Sequence, residues 1–219
     1  MNKTGIIVTG GTIEDAFALE WLSEVQAEML IGVDRGLEFL WRHQIEPTYI
    51  VGDFDSVDPE MVAYYKRETK VPIREFNPVK DASDTEIAVR LAIELGVEKL
   101  WILGGTGSRL DHVLANIQVL CIAQNAGVDA YIVDPYNQIS LIRSGCRITK
   151  VSAFGSYFSL FPLGGEVKDL TITGAKYPLE NYTLRSENSL CVSNQIIEEE
   201  VEVTFSEGTV VLMETRDSR

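Results

Sequence analysis

A chain of 219 residues with 45% hydrophobic and 24% charged residues has the balance of a globular protein and excludes a disordered or fibrous one. Its formal net charge of −14 leaves no Lys/Arg stripe to neutralise nucleic-acid phosphates or anionic lipid, so neither nucleic acid nor a membrane is an expected partner. No apolar run approaches the roughly 20 residues of a membrane span, and Met1-Asn2-Lys3-Thr4 leads into a β-like run without signal-peptide character, which predicts a cytoplasmic chain. Cys121, Cys146 and Cys191 are widely spaced and odd in number; they predict small buried hydrophobes, not a disulfide framework or a zinc site.

In chain order, residues 5–8, 29–33, 48–51, 99–103 and 129–133 are short β-branched runs that predict strands, with amphipathic stretches between them. Ser83-Asp84-Thr85-Glu86 has the S-x-x-E spacing of a capping box and opens a helix whose buried stripe reads as Ile87, Ala88, Leu91, Ala92 and Leu95. A second helix is predicted from Leu110 to Ala126, with Val113, Leu114, Ile117, Leu120 and Cys121 on one face. This alternation predicts a three-layer α/β/α domain with a mostly parallel sheet over residues 1–135. Beyond Pro135 the pattern changes. Residues 138–142, 147–151, 157–161, 166–172, 200–205 and 209–213 read as strands separated by turn residues, making 136–219 an all-β domain, sandwich or barrel.

Open parallel sheets bind ligands outside the carboxyl ends of their strands, so unusual polar residues should directly follow the strand runs. Gly10-Gly11-Thr12, Asp34-Arg35-Gly36, Gly52-Asp53-Phe54-Asp55-Ser56 and the stretch Gly104 to His112 do so, and Lys80-Asp81-Ala82-Ser83-Asp84 leads into the capped helix. Each has a structural alternative. The glycines serve tight turns, Asp34 or Asp55 caps a helix, Ser83 is an N-cap with Asp84 favoured by the helix dipole, and His112 is a surface residue. Those alternatives do not explain why five aspartates, Asp34, Asp53, Asp55, Asp84 and Asp111, fall along one edge of one sheet.

Crowded carboxylates repel, and a divalent cation relieves the repulsion. Asp53 and Asp55, two apart in an extended segment, point to one side and can share an ion. Oxygen donors without a Cys or His cluster favour Mg²⁺, which is held by one or two carboxylates plus substrate phosphates. Gly105, Gly107 and Ser108 before the Leu110 helix supply N–H groups and a positive dipole end to a phosphate; Arg109 adds a fork of donors, and Arg35 a further cation. Neither the P-loop nor the dinucleotide signature is present, since the Gly105-Thr106-Gly107-Ser108-Arg109-Leu110 run lacks the final glycine. The residues predict a Mg²⁺-dependent enzyme that transfers part of a nucleotide's phosphate chain.

Taken in order, Val33-Asp34-Arg35-Gly36, Gly52-Asp53-Phe54-Asp55-Ser56, Lys80 to Glu86 and Gly104 to His112 resemble the thiamine pyrophosphokinase family. Gly174-Ala175-Lys176-Tyr177-Pro178-Leu179 and Val192-Ser193-Asn194 look like its C-terminal segments. The resemblance implies an N-terminal α/β domain, a C-terminal β-sandwich, a homodimer with active sites between subunits, and diphosphate transfer from ATP to thiamine with release of AMP. It further implies Asp53, Asp55 and Asp84 as Mg²⁺ and diphosphate residues, Asp34 as a further acidic member, and Arg109 and Asp111, with His112 beside them, on the nucleotide side. The family usually has Thr-Asp where this chain has Ser83-Asp84, and an aromatic, often Trp, at the place of Tyr177. Thiamine's cationic ring suits an acidic protein, with Tyr177 to stack on it and Ser193 or Asn194 to offer polar contacts. Two other readings use the same residues: a Mg²⁺-dependent phosphohydrolase in which the carboxylates activate water, and a nucleotide-binding regulator without catalysis.

Overall fold

The structure is a computed structural model that describes residues 3–54, 57–75 and 82–218. The chain divides into two units, Met1–Pro135 and Tyr136–Arg219. The first runs β1 (Thr4–Val8), α1 (Asp15–Glu24), β2 (Met29–Val33), α2 (Gly36–Arg42), β3 (Tyr49–Gly52), α3 (Pro59–Glu68), β4 (Ile73–Glu75), α4 (Asp84–Glu94), β5 (Lys99–Leu103), α5 (Leu110–Asn125) and β6 (Asp129–Val133). Its strands lie parallel in the order β4-β3-β2-β1-β5-β6. The central strands are apolar on both faces, with Ile6, Ile7, Val8, Ile31, Val33 and Val51 all buried, as a parallel sheet covered by helices requires.

From β1 the chain winds outwards to β4, then crosses to β5 and winds the other way. Right-handed crossovers in opposite directions put α1, α2 and α3 on one face and α4 and α5 on the other. The packing of α4 against α5 agrees with that assignment. The reversal leaves a crevice between the carboxyl ends of β1 and β5, where such sheets bind ligands.

β4 was not among the strands read from sequence. It has three residues at the sheet edge, and Arg74 and Glu75 are exposed, paired with Glu94 and Lys66 at 3.0 and 2.7 Å. A short charged edge strand resists unwanted pairing but carries no apolar signal. In α4 the Glu86 N–H donates to Ser83 Oγ at 3.2 Å, whereas the Glu86 carboxylate accepts from Arg90 at 2.8 and 2.9 Å, so the Ser83 side of the expected box forms and Glu86 is spent elsewhere.

The buried stripe of α4 includes the expected Ala88, Leu91 and Ala92 but also Thr85 and Val89, while Ile87 and Leu95 are half-buried. The buried face of α5 is rotated from the sequence reading: Asn116, Ile117, Val119, Leu120 and Ala123 are buried, and Leu114 is 56% exposed. The cause is Asn116, a polar residue that breaks the apolar period yet is buried because Gly105 O accepts its Nδ2 proton at 2.8 Å.

The second unit contains β7 (Asn137–Ile142), β8 (Cys146–Thr149), β9 (Tyr157–Pro162), β10 (Val167–Thr173), β11 (Leu179–Leu184), β12 (Glu200–Thr204) and β13 (Val210–Thr215). Antiparallel pairing gives β7-β13-β9 in one layer and β11-β10-β12-β8 in the other, a β-sandwich. Phe158, Leu160, Val167, Leu170, Ile172, Val201, Val203 and Leu212 pack between them at the alternate positions that face inwards. β11 was missed in sequence because it is mostly polar, with Leu184 its one fully buried residue. The three cysteines are free. Burial pushes the thiols of Cys146 and Cys191 up to about 11, so they stay protonated and serve as packing groups. No helix among the described residues is long and apolar enough to cross a membrane.

Candidate active site

The loops after β1 and β5 close on each other. Thr9 N–H donates to Leu103 O, Gly11 N–H to Gly104 O and Thr12 N–H to Thr106 O at 2.9, 2.9 and 2.8 Å, continuing the β1–β5 ladder past the strands. Gly11 is obligatory here: a Cβ would run into the carbonyl oxygens of Gly104 and Thr106. The second loop is also held from the side, by Asn116 on the Gly105 carbonyl and by the Thr106 hydroxyl donating to Asp134 at 2.7 Å. Four attachments therefore fix a glycine loop that leads directly into α5, the arrangement that presents backbone N–H groups to an anion without reorganisation.

These loops floor a depression of about 540 Å³, within the size range of small-molecule sites. Of the residues expected from sequence, it gathers Asp34, Arg35, Asp84, Gly105, Gly107, Ser108, Arg109 and His112. Asp34 follows β2 with φ of 44°, a left-handed conformation open to aspartate. Its Oδ1 rests against Gly52, where any Cβ would collide with it, so the Asp34 carboxylate lies beside the chain segment that carries Asp53. Asp84 heads α4 immediately after its Ser83 cap. Asp53 is half-buried and outside the lining of the depression, and Asp55 lies outside the described residues.

Among the described residues no group of three His, Cys, Asp or Glu stands ready to hold a metal ion. The donors present nonetheless suit a hard cation: Asp34 and Asp84 on the lining, and Asp53, the residue after the Gly52 against which the Asp34 carboxylate rests, supply oxygens only. Two carboxylates completed by phosphate oxygens and water is a usual Mg²⁺ arrangement.

Arg109 and Asp111 form a two-pronged ion pair, Nε to Oδ1 at 3.2 Å and an Nη to Oδ2 at 2.6 Å, both side chains largely exposed. The Arg109 guanidinium holds the Asp111 carboxyl down at about 2, with the His112 N–H adding a further bond at 3.0 Å. Both charges persist at any working pH, and Arg109 meets the lining of the depression while Asp111 does not. Asp111 therefore serves here as the orienting partner of Arg109.

In the second unit Tyr177 is 55% exposed, and its backbone is pinned by Asn194: Tyr177 N–H donates to Asn194 Oδ1 at 3.0 Å and Asn194 Nδ2 to Tyr177 O at 2.8 Å. Asn194 Oδ1 also accepts from Gln195 N–H at 2.9 Å, so this buried amide is occupied in shaping the Tyr177 turn. Ser193 is exposed, at φ of 56°, and its N–H donates to Ser159 Oγ at 3.0 Å. Lys176 Nζ lies 5.5 Å from the Tyr177 ring centroid and bonds Gln195 at 3.0 Å.

Sequence reasoning did not single out Thr9, Thr85 or Asn116, all buried on the lining of the depression. The available signal was a polar residue interrupting an apolar run, which reads equally well as a boundary.

Fold and site define a two-unit class: an α/β unit with a glycine-loop depression at the switch point of its sheet, followed in the same chain by a β-sandwich. The chain belongs to the thiamin pyrophosphokinase family, whose catalytic-domain model matches residues 22–132 and whose vitamin B1 binding domain model matches residues 145–210. It is 29% identical over 187 residues to the thiamine pyrophosphokinase of Bacillus subtilis, covering 85% of this chain and 87% of that one. The crystal structure of thiamine pyrophosphokinase from Bacillus subtilis superposes with a TM-score of 0.86 at 30% identity, over 99% of this chain and 100% of the other. That of the enzyme from Geobacillus thermodenitrificans gives 0.83 at 29% identity, over 98% of each chain.

Proposed function

We propose that the protein is an ATP-dependent thiamine diphosphokinase. The thiamine hydroxyl oxygen bonds to the β-phosphorus of ATP, the bond from that phosphorus to the α,β-bridging oxygen breaks, and thiamine diphosphate, AMP and one proton are released. The observation that carries this reading is the anchored glycine loop opening onto Asp34 and Asp84, in a chain that the family's two models match across both units. Backbone N–H groups and Arg109 orient the phosphate chain, and their rigidity means little reorganisation when charge shifts to the leaving group. Asp53, Asp55 and Asp84 are the proposed holders of Mg²⁺, with Asp34 as a further acidic member of the site; the ion, when bound, neutralises phosphate charge. The exposed Tyr177 ring offers a face to the cationic heterocycle, with Ser193 and Asn194, the latter bonded to the Tyr177 backbone, as the proposed polar contacts.

The test is product analysis after incubation with ATP, Mg²⁺ and thiamine. AMP and thiamine diphosphate should appear in equal amounts and only when thiamine is present. Phosphate release without thiamine would make the protein a phosphohydrolase, and nucleotide binding without turnover would make it a regulator.

A further inference from the structure

Thr9 and Thr85 lie on the lining of the depression, yet only 5% and 6% of their surfaces are exposed. Thr9 directly follows β1, and its N–H is fixed by Leu103 O at 2.9 Å; Thr85 is in the first turn of the 11-residue α4. Their hydroxyl oxygens are 2.9 Å apart, a single hydrogen bond in which either can donate. Two hydroxyls carry two donatable protons, and the bond between them uses one. The other has no acceptor among the described residues.

A buried donor without an acceptor is costly, and native structures rarely tolerate one unless a ligand or water completes it. The lining around the spare proton carries groups that attract an anion together with the Asp34 and Asp84 carboxylates, so a phosphate reaches it accompanied by the cation those carboxylates would hold. The loop Gly10-Gly11 follows Thr9, the α4 N-terminus carries Thr85, and Arg35 and Arg109 share the same lining. Valine has nearly the shape of threonine and would fill both places without an unmet donor, so burial of two hydroxyls calls for a reason beyond packing.

We propose that the Thr9–Thr85 pair is a ligand-binding element that donates its second hydroxyl proton to a phosphate oxygen of the bound nucleotide; this rests on the nucleotide-binding reading above. The hydroxyl that faces the phosphate accepts a bond from its partner, and that polarises its own O–H and makes it the better donor.

The experiment is calorimetric titration with α,β-methylene-ATP and Mg²⁺, in the absence of thiamine, of the wild type, the Thr9→Val/Thr85→Val double variant and the Thr9→Ser/Thr85→Ser double variant. The double valine should keep a Tm close to that of the wild type, since both partners of the bond are replaced by apolar groups of the same shape. Its Kd should rise roughly 10-fold, as expected for loss of a bond to a charged acceptor. The serine variant should stay within about 3-fold of the wild type, since its hydroxyls can make the same bonds. Unchanged affinity in a folded double valine overturns the proposal while the nucleotide reading stands; failure of the wild type to bind overturns both. Should the double valine not fold, the single Thr9→Val and Thr85→Val variants decide, and wild-type affinity in both overturns the proposal. An equal loss of affinity for adenosine would move the acceptor to the nucleoside and overturn the phosphate assignment.

Discussion

Arg109 shows how one residue's geometry outweighs its charge. Its guanidinium already makes a planar two-pronged contact with Asp111, so its orientation is set before any phosphate arrives. A lysine at this position keeps the charge but has no fork to hold two oxygens in a plane. Arg109→Lys should therefore raise KM for ATP by roughly 10-fold, with thiamine KM little changed, a comparison that steady-state kinetics makes directly. Equal kinetics in the lysine variant would reduce Arg109 to a surface charge. The acidic residues act through a different term. Asp84→Asn and Asp53→Asn remove a charge but little volume, so each should fold normally and lose kcat by on the order of 10²-fold, because an ion holder acts chiefly on the transition state. EDTA should abolish turnover in the wild type. Full activity in chelator, or near-normal kcat in either variant, would refute the metal assignment.

Among the elements, β13 carries a buried carboxylate with a predictable pH signature. Glu214 stands opposite Gln138 of β7, accepts from its Nε2 at 3.0 Å, and accepts from Phe154 N–H at 3.1 Å. Burial raises its pKa above the ordinary 4.5, and the two hydrogen bonds only partly offset this. Below that value both folded and unfolded chains hold the proton. As pH rises, the unfolded chain gives it up first, so Glu214 costs stability from about 4.5 up to its raised folded pKa and by a constant amount beyond. Glu214→Gln should then raise Tm at pH 7 and leave it nearly unchanged at pH 4, read by thermal melts at both pH values. A larger gain at pH 4 would reverse the sign of the argument. Other elements show what sequence patterns reveal. The long apolar strands and the capped α4 were legible because burial and capping impose a local residue code. β4 and β11 were not, since short or polar edge strands are defined by their neighbours' backbone and carry no apolar alternation of their own. The buried face of α5 was misread for the same reason: Asn116 is paid for by a carbonyl eleven residues away, a bond invisible until the loop is folded.

At the scale of the whole molecule, the candidate site was legible because a parallel sheet gathers separate segments at one edge. That rule located Asp34, Asp84 and the stretch Gly105 to Arg109 on one depression. It did not reveal the contacts among these residues: Asp111 pairs with Arg109, and Asn194 bonds the Tyr177 backbone. The expectation of a homodimer with shared sites belongs to this scale as well. In the second unit, Tyr177, Leu190, Val192 and Ile197 are large exposed apolar residues in segments tied by the bridges Phe158–Asn194 and Ala175–Ile196. Such clustering suits a surface that is covered in an assembly. If the depression of one subunit is completed by Tyr177 of the other, two variants crippled in different units can rescue each other. Tyr177→Ala should weaken thiamine binding by roughly 5- to 30-fold in KM with ATP affinity nearly unchanged, and Asp84→Asn should lower kcat by the same order of 10²-fold given above while leaving the thiamine surface intact. Random re-association of equal amounts gives half heterodimers, each with one doubly altered site and one unaltered site, so about a quarter of all sites regain full function. Assayed at thiamine well below the wild-type KM, the mixture should exceed the mean of its parents severalfold after subunit exchange. A monomer by light scattering, or a mixture equal to the mean of its parents after demonstrated exchange, would mean that each chain builds its site alone.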